Sequence, residues 1–235
     1  MPTIPLSLLH LIFFVAVLVS INAAGAVRHH VITFGKWMNV PWFVDSGPQG
    51  GGDTATTIKV RPLLVDTQVK EFTLGPPHDI TDRLFVVRRA FRVNDSLPQE
   101  SPAPHWQWQR GGWLLIDRIT GHVSAINLPE FDSAYSEASW FRDYVAYCGI
   151  SDDTKKHYAV VVEVGRRKPL LRKLLEGTST TAGRAEASAC PAPAWQRNPS
   201  RVSFEADGIP KQVFTIRGRA ADLATAEDEE EEASK

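Results

Sequence analysis

Short runs rich in Val, Ile, Phe, Tyr and Trp follow one another along most of the chain, many with apolar and polar residues alternating at period two. That alternation marks strands with one face against a core and the other toward water. Such runs span residues 31–37, 57–65, 69–74, 84–93, 106–109, 113–118, 123–128, 144–150, 157–164, 202–206 and 212–216. In 157–164, Tyr158, Val160, Val162 and Val164 share one face; in 144–150, Tyr144, Ala146, Cys148 and Ile150 point together. Ile119-Thr120-Gly121-His122 and residues 152–156 supply turn chemistry between strands. Residues 168–176 fit either a short amphipathic helix stopped by Gly177 or a strand, and 131–140 has room for one helical turn. The expected class is all-β with little helix, its antiparallel sheets in a propeller-like or sandwich arrangement rather than a barrel.

The pattern breaks at both ends. Residues 6–21 form an apolar run without Lys, Arg, Asp or Glu, and Ala24-Gly25-Ala26 follows as a small-x-small cleavage sequence. Residues 1–26 therefore read as a secretory signal peptide, although the first five residues lack the usual positive charge. With cleavage near Ala26, favoured over retention as an uncleaved anchor, no transmembrane span is expected and the mature protein is secreted or periplasmic. Residues 220–235 carry seven acids against Lys235, a net −6 that leaves +5 on residues 27–219. The expected organisation is thus a signal peptide (1–26), one all-β domain (27–219) and a disordered acidic tail (220–235). Segments 45–56, 96–104 and 177–193 read as long loops, because Gly, Pro, Ser and Thr dominate them. The apolar fraction of 43% with seven Trp and eleven Phe excludes a chain without a core.

Residues 113–128, a strand, an Asp-x-x-Thr-Gly turn and a second strand, resemble a hairpin of repetitive β-propeller blades, and 144–164 resembles another. No period of roughly 40–50 residues recurs through the rest. The segments DRLFVVRRAFRVND, WQWQRGGWLLIDRITG and YVAYCGISDD resemble a family of uncharacterised exported bacterial proteins. That resemblance implies a shared fold and compartment, and no chemistry.

Export bears on the two cysteines, since an oxidising compartment lets Cys148 and Cys190 form a bridge. Cysteine and histidine spacings give neither a metal knuckle nor a thioredoxin-type motif, no Gly-x-Ser-x-Gly elbow occurs, and neither metal nor cofactor is expected. The glycines of 47–52 lack the Gly-Lys-Ser/Thr of a phosphate-binding loop. His78, Asp79, Asp82, Asp117, His122, Glu130, Asp132, Asp143 and His157 have acid-base chemistry but no diagnostic spacing. Trp106 and Trp108, two positions apart, put two indoles on one strand face, which suits a core or a sugar-stacking surface. Arg88, Arg89 and Arg92, together with Arg166, Arg167, Lys168, Arg172 and Lys173, form two basic clusters suited to a polyanion or to a solvated face. The functional expectation is an exported, non-enzymatic binding or scaffold module of unknown ligand, with a glycan or a polyanion as the candidate partners. The alternatives are a hydrolase of unrecognised type and a polyanion-binding protein. Convergence of His78, Asp79, Asp82 and Asp117 in one pocket would favour the hydrolase.

Overall fold

The computed structural model describes residues 29–44, 54–94, 96, 106–151, 156–175, 190–198, 200–206, 209–218 and 220–223, so the signal segment, most of the three expected loops and residues 224–235 lie outside it. All regular structure among the described residues is β, in antiparallel sheets with one parallel pairing, as the alternating pattern requires.

Seven strands, β1 (Ile32–Phe34), β2 (Met38–Val44), β3 (Thr54–Val65), β4 (Gln68–Asp79), β5 (Leu84–Asn94), β6 (Trp106–Asp117) and β7 (Val123–Ile126), form the first sheet. Its pairing runs β3-β2-β6-β5-β4 and returns to β3, closed by a single parallel pair, Trp42 with Trp108. This barrel-like circuit was ranked below propeller and sandwich by the strand pattern. Its physical basis is length and bulging: β3, β4, β5 and β6 have 11 or 12 residues each and shift register at Leu63/Leu64, Leu74/His78 and Arg88/Ala90. Bulges bend a strand enough to let its two halves serve different neighbours.

A second sheet holds β8 (Ala138–Phe141), β9 (Tyr144–Ile150), β10 (His157–Glu163) and β11 (Leu171–Leu174); a third holds β12 (Ala194–Gln196), β13 (Arg201–Ala206), β14 (Ile209–Arg217) and β15 (Ala220–Leu223). Both are four-stranded antiparallel meanders in chain order, and β4 to β7 make a third such run. β9 and β10 are covered on both faces. Ala146, Cys148, Ala159 and Val161 pack on Val202, Phe204, Phe214 and Ile216 of the third sheet. Val145, Tyr147, Val160 and Val162 pack on Leu128, Ile126 and Trp113 beside the first. The face assignments made from period two hold in both strands. Cys148 and Cys190 are bridged within the first of these clusters, Cα–Cα 6.1 Å, tying β9 to the segment leading into the third sheet.

Several boundaries differ from expectation. Residues 106–109 and 113–118 belong to one strand, β6, running through Gly111 and Gly112. β11 settles the 168–176 alternative as a strand, paired from Leu171 to Leu174 with β10. In 131–140 a single turn forms without a helix: Ser136 N donates to Asp132 O (2.7 Å), Asp132 caps it through Ala134 N (2.7 Å) and Tyr135 N (3.3 Å), and β8 follows. The expected tail begins too early, because Ala220–Leu223 pairs with β14 as β15 and the first acid of the stretch, Asp222, lies within that strand. At the β3–β4 hairpin Asp66 and Thr67 both have positive φ (51° and 70°), the two-residue turn that matches strand twist.

Candidate functional site

Where β4 bulges from its pairing with β5 at Gly75-Pro76-Pro77, and β8 enters from the 131–137 turn, a cavity of about 660 Å³ opens. Three cations (Lys59, Arg88, Arg110), one carboxylate (Glu137), His78 and two indoles (Trp113, Trp140) line it.

Arg88 is the organising residue. It is buried, and its Nη1 donates to Glu137 Oε2 (2.8 Å), its Nη2 to Ser133 O (2.8 Å) and Ser136 O (3.4 Å), and its Nε to Gly111 O (3.4 Å). One rigid fork thus joins β5, β6 and the turn before β8. Burial lowers its pKa, opposed in part by Glu137. Arg110 Nη1 donates to the other carboxylate oxygen of Glu137 (2.7 Å), and the Arg110 guanidinium carbon lies 4.2 Å from the ring centre of Trp42. Straight alternation would place Arg110 and Trp113 on opposite faces. The extra residue at Gly111–Gly112, where the register with β5 shifts, returns both to the face that carries Arg88. A Cβ on Gly111 would lie 3.1 Å from Arg89 Cβ and 3.2 Å from its carbonyl oxygen, so a glycine suits the close approach.

On the opposite wall His78 Nε2–H donates to Arg142 O (2.8 Å) and its ring stacks on Trp140 (5.8 Å, 28°), which meets Trp113 edge to face (5.1 Å, 65°). The indole N–H groups of Trp113 and Trp140 are buried with no partner among the described residues. Both oxygens of Glu137 are engaged by guanidinium donors, so the surplus of the cleft is positive charge and N–H donors beside aromatic surface. That arrangement suits a ligand rich in oxygen acceptors or carrying carboxylates.

His78, Asp79, Asp82 and Asp117 do not converge; His78 alone lines the cleft. Asp79 accepts from Arg118 Nη2 (2.6 Å). Asp117 accepts from Arg83 Nε (2.9 Å) and Nη2 and from Ile119 N (2.8 Å), which hold its carboxyl far below the usual range and fix the 117–121 turn. Glu130 pairs with Arg172, Asp132 caps its turn, and His157 is buried, with its pKa lowered by desolvation. The first basic cluster is not a cationic stripe. Arg88 faces Glu137, Arg89 points to the other side and pairs with Glu71 (3.0 Å), and Arg92 lies over Trp106 and Trp108 (5.6 and 5.5 Å). Trp108 packs on the core and edge to face on Phe72, while Trp106 is 54% exposed. Arg166, Arg167 and Lys168 line a separate, shallow surface depression, with Arg166 paired to Glu163 (3.2 Å).

The site residues that the sequence reading missed are Lys59, Arg110, Trp113, Glu137 and Trp140. The one local signal was Gly111-Gly112 inside a strand pattern, a mark of close backbone approach. A second cavity holds His30, hydrogen-bonded through Nδ1 to Asp66 (2.6 Å), near His122 and Gly121. Asp66 also accepts from Val31 N (3.0 Å), so this pair fastens the N-terminal strand to the β3–β4 turn. Among the described residues no group of three or more His, Cys, Asp or Glu could hold a metal ion. Comparisons of the chain with protein-family models, with curated proteins and with solved structures each return no match.

Proposed function

We propose that this protein is an exported, non-enzymatic binding module that takes an anionic, oxygen-rich glycan in the cleft between β4 and β8. The observation that carries the reading is the cleft itself. Lys59, Arg88 and Arg110 outnumber the single carboxylate of Glu137, and Trp113, Trp140 and His78 supply flat aromatic surface beside them. Rigid placement of such groups on strands is what recognition needs. Export rests on the signal pattern of residues 1–26 and on the resemblance to exported bacterial proteins. The three consecutive four-stranded meanders support a blade-like reading of the second half, with β9 and β10 stacked between neighbouring sheets.

Trp113 and Trp140 in the cleft give a direct readout. Titration of the mature protein with galacturonic acid and with its trimer is expected to change tryptophan fluorescence saturably, and Lys59→Glu is expected to abolish the change. Turnover of either sugar that disappears in His78→Ala would replace the module with a hydrolase. Equal response to the neutral sugar galactose would remove the charge argument.

A further inference from the structure

The cleft continues out of itself along one face of the first sheet. Trp106, Trp108 and Arg110 alternate on β6, so their side chains share that face at intervals of about 7 Å. Across the β5–β6 pairing Arg92 sits opposite Trp108, and Ala90 opposite Arg110. Trp42 of β2 is the register partner of Trp108 on the other side. Two sets of contacts lie along it, Arg110 over Trp42 (4.2 Å) and Arg92 over both Trp108 (5.5 Å) and Trp106 (5.6 Å), related by the Trp42–Trp108 pairing. Arg110 lines the cleft, Trp108 is half-buried, and Trp106 at the far end is 54% exposed. The track from Arg110 to Trp106 spans five residues, about 13 Å between its ends, more than a single sugar ring needs.

We infer that this track binds an extended acidic polysaccharide, with one end of the chain in the cleft and successive rings passing over Trp108 and Trp106. The inference rests on the cleft reading above and adds the polymeric nature of the ligand. Indoles present flat apolar faces to the C–H faces of sugar rings, and guanidiniums pair with carboxylates in a fork. Two successive indoles on that face, with Arg110 at the cleft end and Arg92 beside them on β5, set stacking surface next to charge along the line a chain would follow. The charge density argues against single-stranded nucleic acid, which calls for a broad basic stripe following every phosphate. Here Arg88 and Arg110 already share Glu137 and Arg89 pairs with Glu71, leaving Arg92 as the track guanidinium without a carboxylate partner among the described residues.

The test is the length dependence of binding by calorimetry, with galacturonate monomer, trimer and hexamer as probes and a thymidine dodecamer and cellohexaose as controls. The hexamer is expected to bind at least about tenfold more tightly than the trimer. Trp106→Ala, at an exposed strand end, is expected to erase that gain and leave the monomer unaffected, and Arg92→Gln should do the same. Lys59→Glu should weaken every length. A hexamer no tighter than the trimer, or a gain that survives Trp106→Ala and Arg92→Gln, overturns the track and leaves the cleft standing. Loss of all galacturonate binding overturns both. Binding of the thymidine dodecamer as tight as the hexamer, or of cellohexaose as tight, overturns the acidic-polysaccharide assignment.

Discussion

Replacing Arg88 by Ala tests the central structural argument, that one buried guanidinium fastens the wall of the cleft. The substitution removes the donors to Ser133 O, Ser136 O and Gly111 O, and half of the support for Glu137. Removing one partner of a buried ion pair commonly costs about 3–5 kcal/mol, mostly from the polar groups left behind. Glu137 keeps Arg110 and its side chain is 44% exposed, which puts the expected loss near the low end, about 3 kcal/mol. For a β body of this size, each kcal/mol moves the midpoint by roughly 2–4 °C, giving a Tm lower by about 6–12 °C. The internal control is Arg89→Ala, one residue along and on the opposite face. Its pair with Glu71 is part-exposed on both sides (42% and 26%), so the loss there should stay below about 1 kcal/mol. Arg88→Lys keeps the charge but cannot reach four acceptors in three directions, and falls between the two. Thermal and urea unfolding of the purified protein, followed by circular dichroism, reads all three. An Arg88→Ala loss no larger than that of Arg89→Ala would refute the reasoning.

Other outcomes follow from single features of the fold. The bridge between Cys148 and Cys190 closes a separation of 42 residues, worth about 4 kcal/mol in the chain-entropy account. Thiol titration of the purified protein under denaturing conditions should find no free thiol before reduction and two after, and reduction should lower the urea midpoint. Gly121 has φ +64°, and a Cβ there would lie 2.8 Å from Val65 Cγ1 and 2.9 Å from His30 Cγ, so Gly121→Ala should destabilise by about 2 kcal/mol or more, read from the same unfolding curves. Burial lowers the pKa of His157 from its ordinary 6.5, so the unfolded chain takes up its proton first as pH falls. Stability should therefore decline from about pH 6.5 downward, and His157→Gln should flatten the curve between about pH 6.5 and 5, above the carboxylate range.

Where a strand has clean alternation and tight neighbours, the sequence was readable to the residue. β9 spans Tyr144–Ile150 as the pattern draws it, and the Asp117–Gly121 turn forms with Asp117 as its cap. The pattern could not show β9 and β10 buried on both faces, because Ala146, Cys148 and Ala159 are small and sit opposite larger neighbours in another sheet. β2 was hidden by Pro41, which lacks the N–H of a central-strand residue, and β12 by its three-residue length. The ring of five strands depends on which neighbour each half of β3 and β6 takes, a long-range choice without a local signal.

The site failed to appear in the sequence for a more specific reason. Period-two reading assigns faces by parity, and the cleft is assembled across breaks in parity. Arg110 and Trp113, three residues apart, share a face only because β6 gains a residue at Gly111–Gly112. Glu137 reaches them from a turn that has no strand pattern at all, brought in by Asp132 capping and by the Arg88 bonds to Ser133 and Ser136. Parity did group Trp106 with Trp108, since no bulge separates them, whereas counting charge without regard to faces wrongly joined Arg89 to Arg88 and Arg92. The residues that a bulge realigns are therefore the ones to test first for ligand contact. In this chain they are Arg110 and Trp113, and the glycine pair between them sets both the register of the sheet and the lining of the cleft.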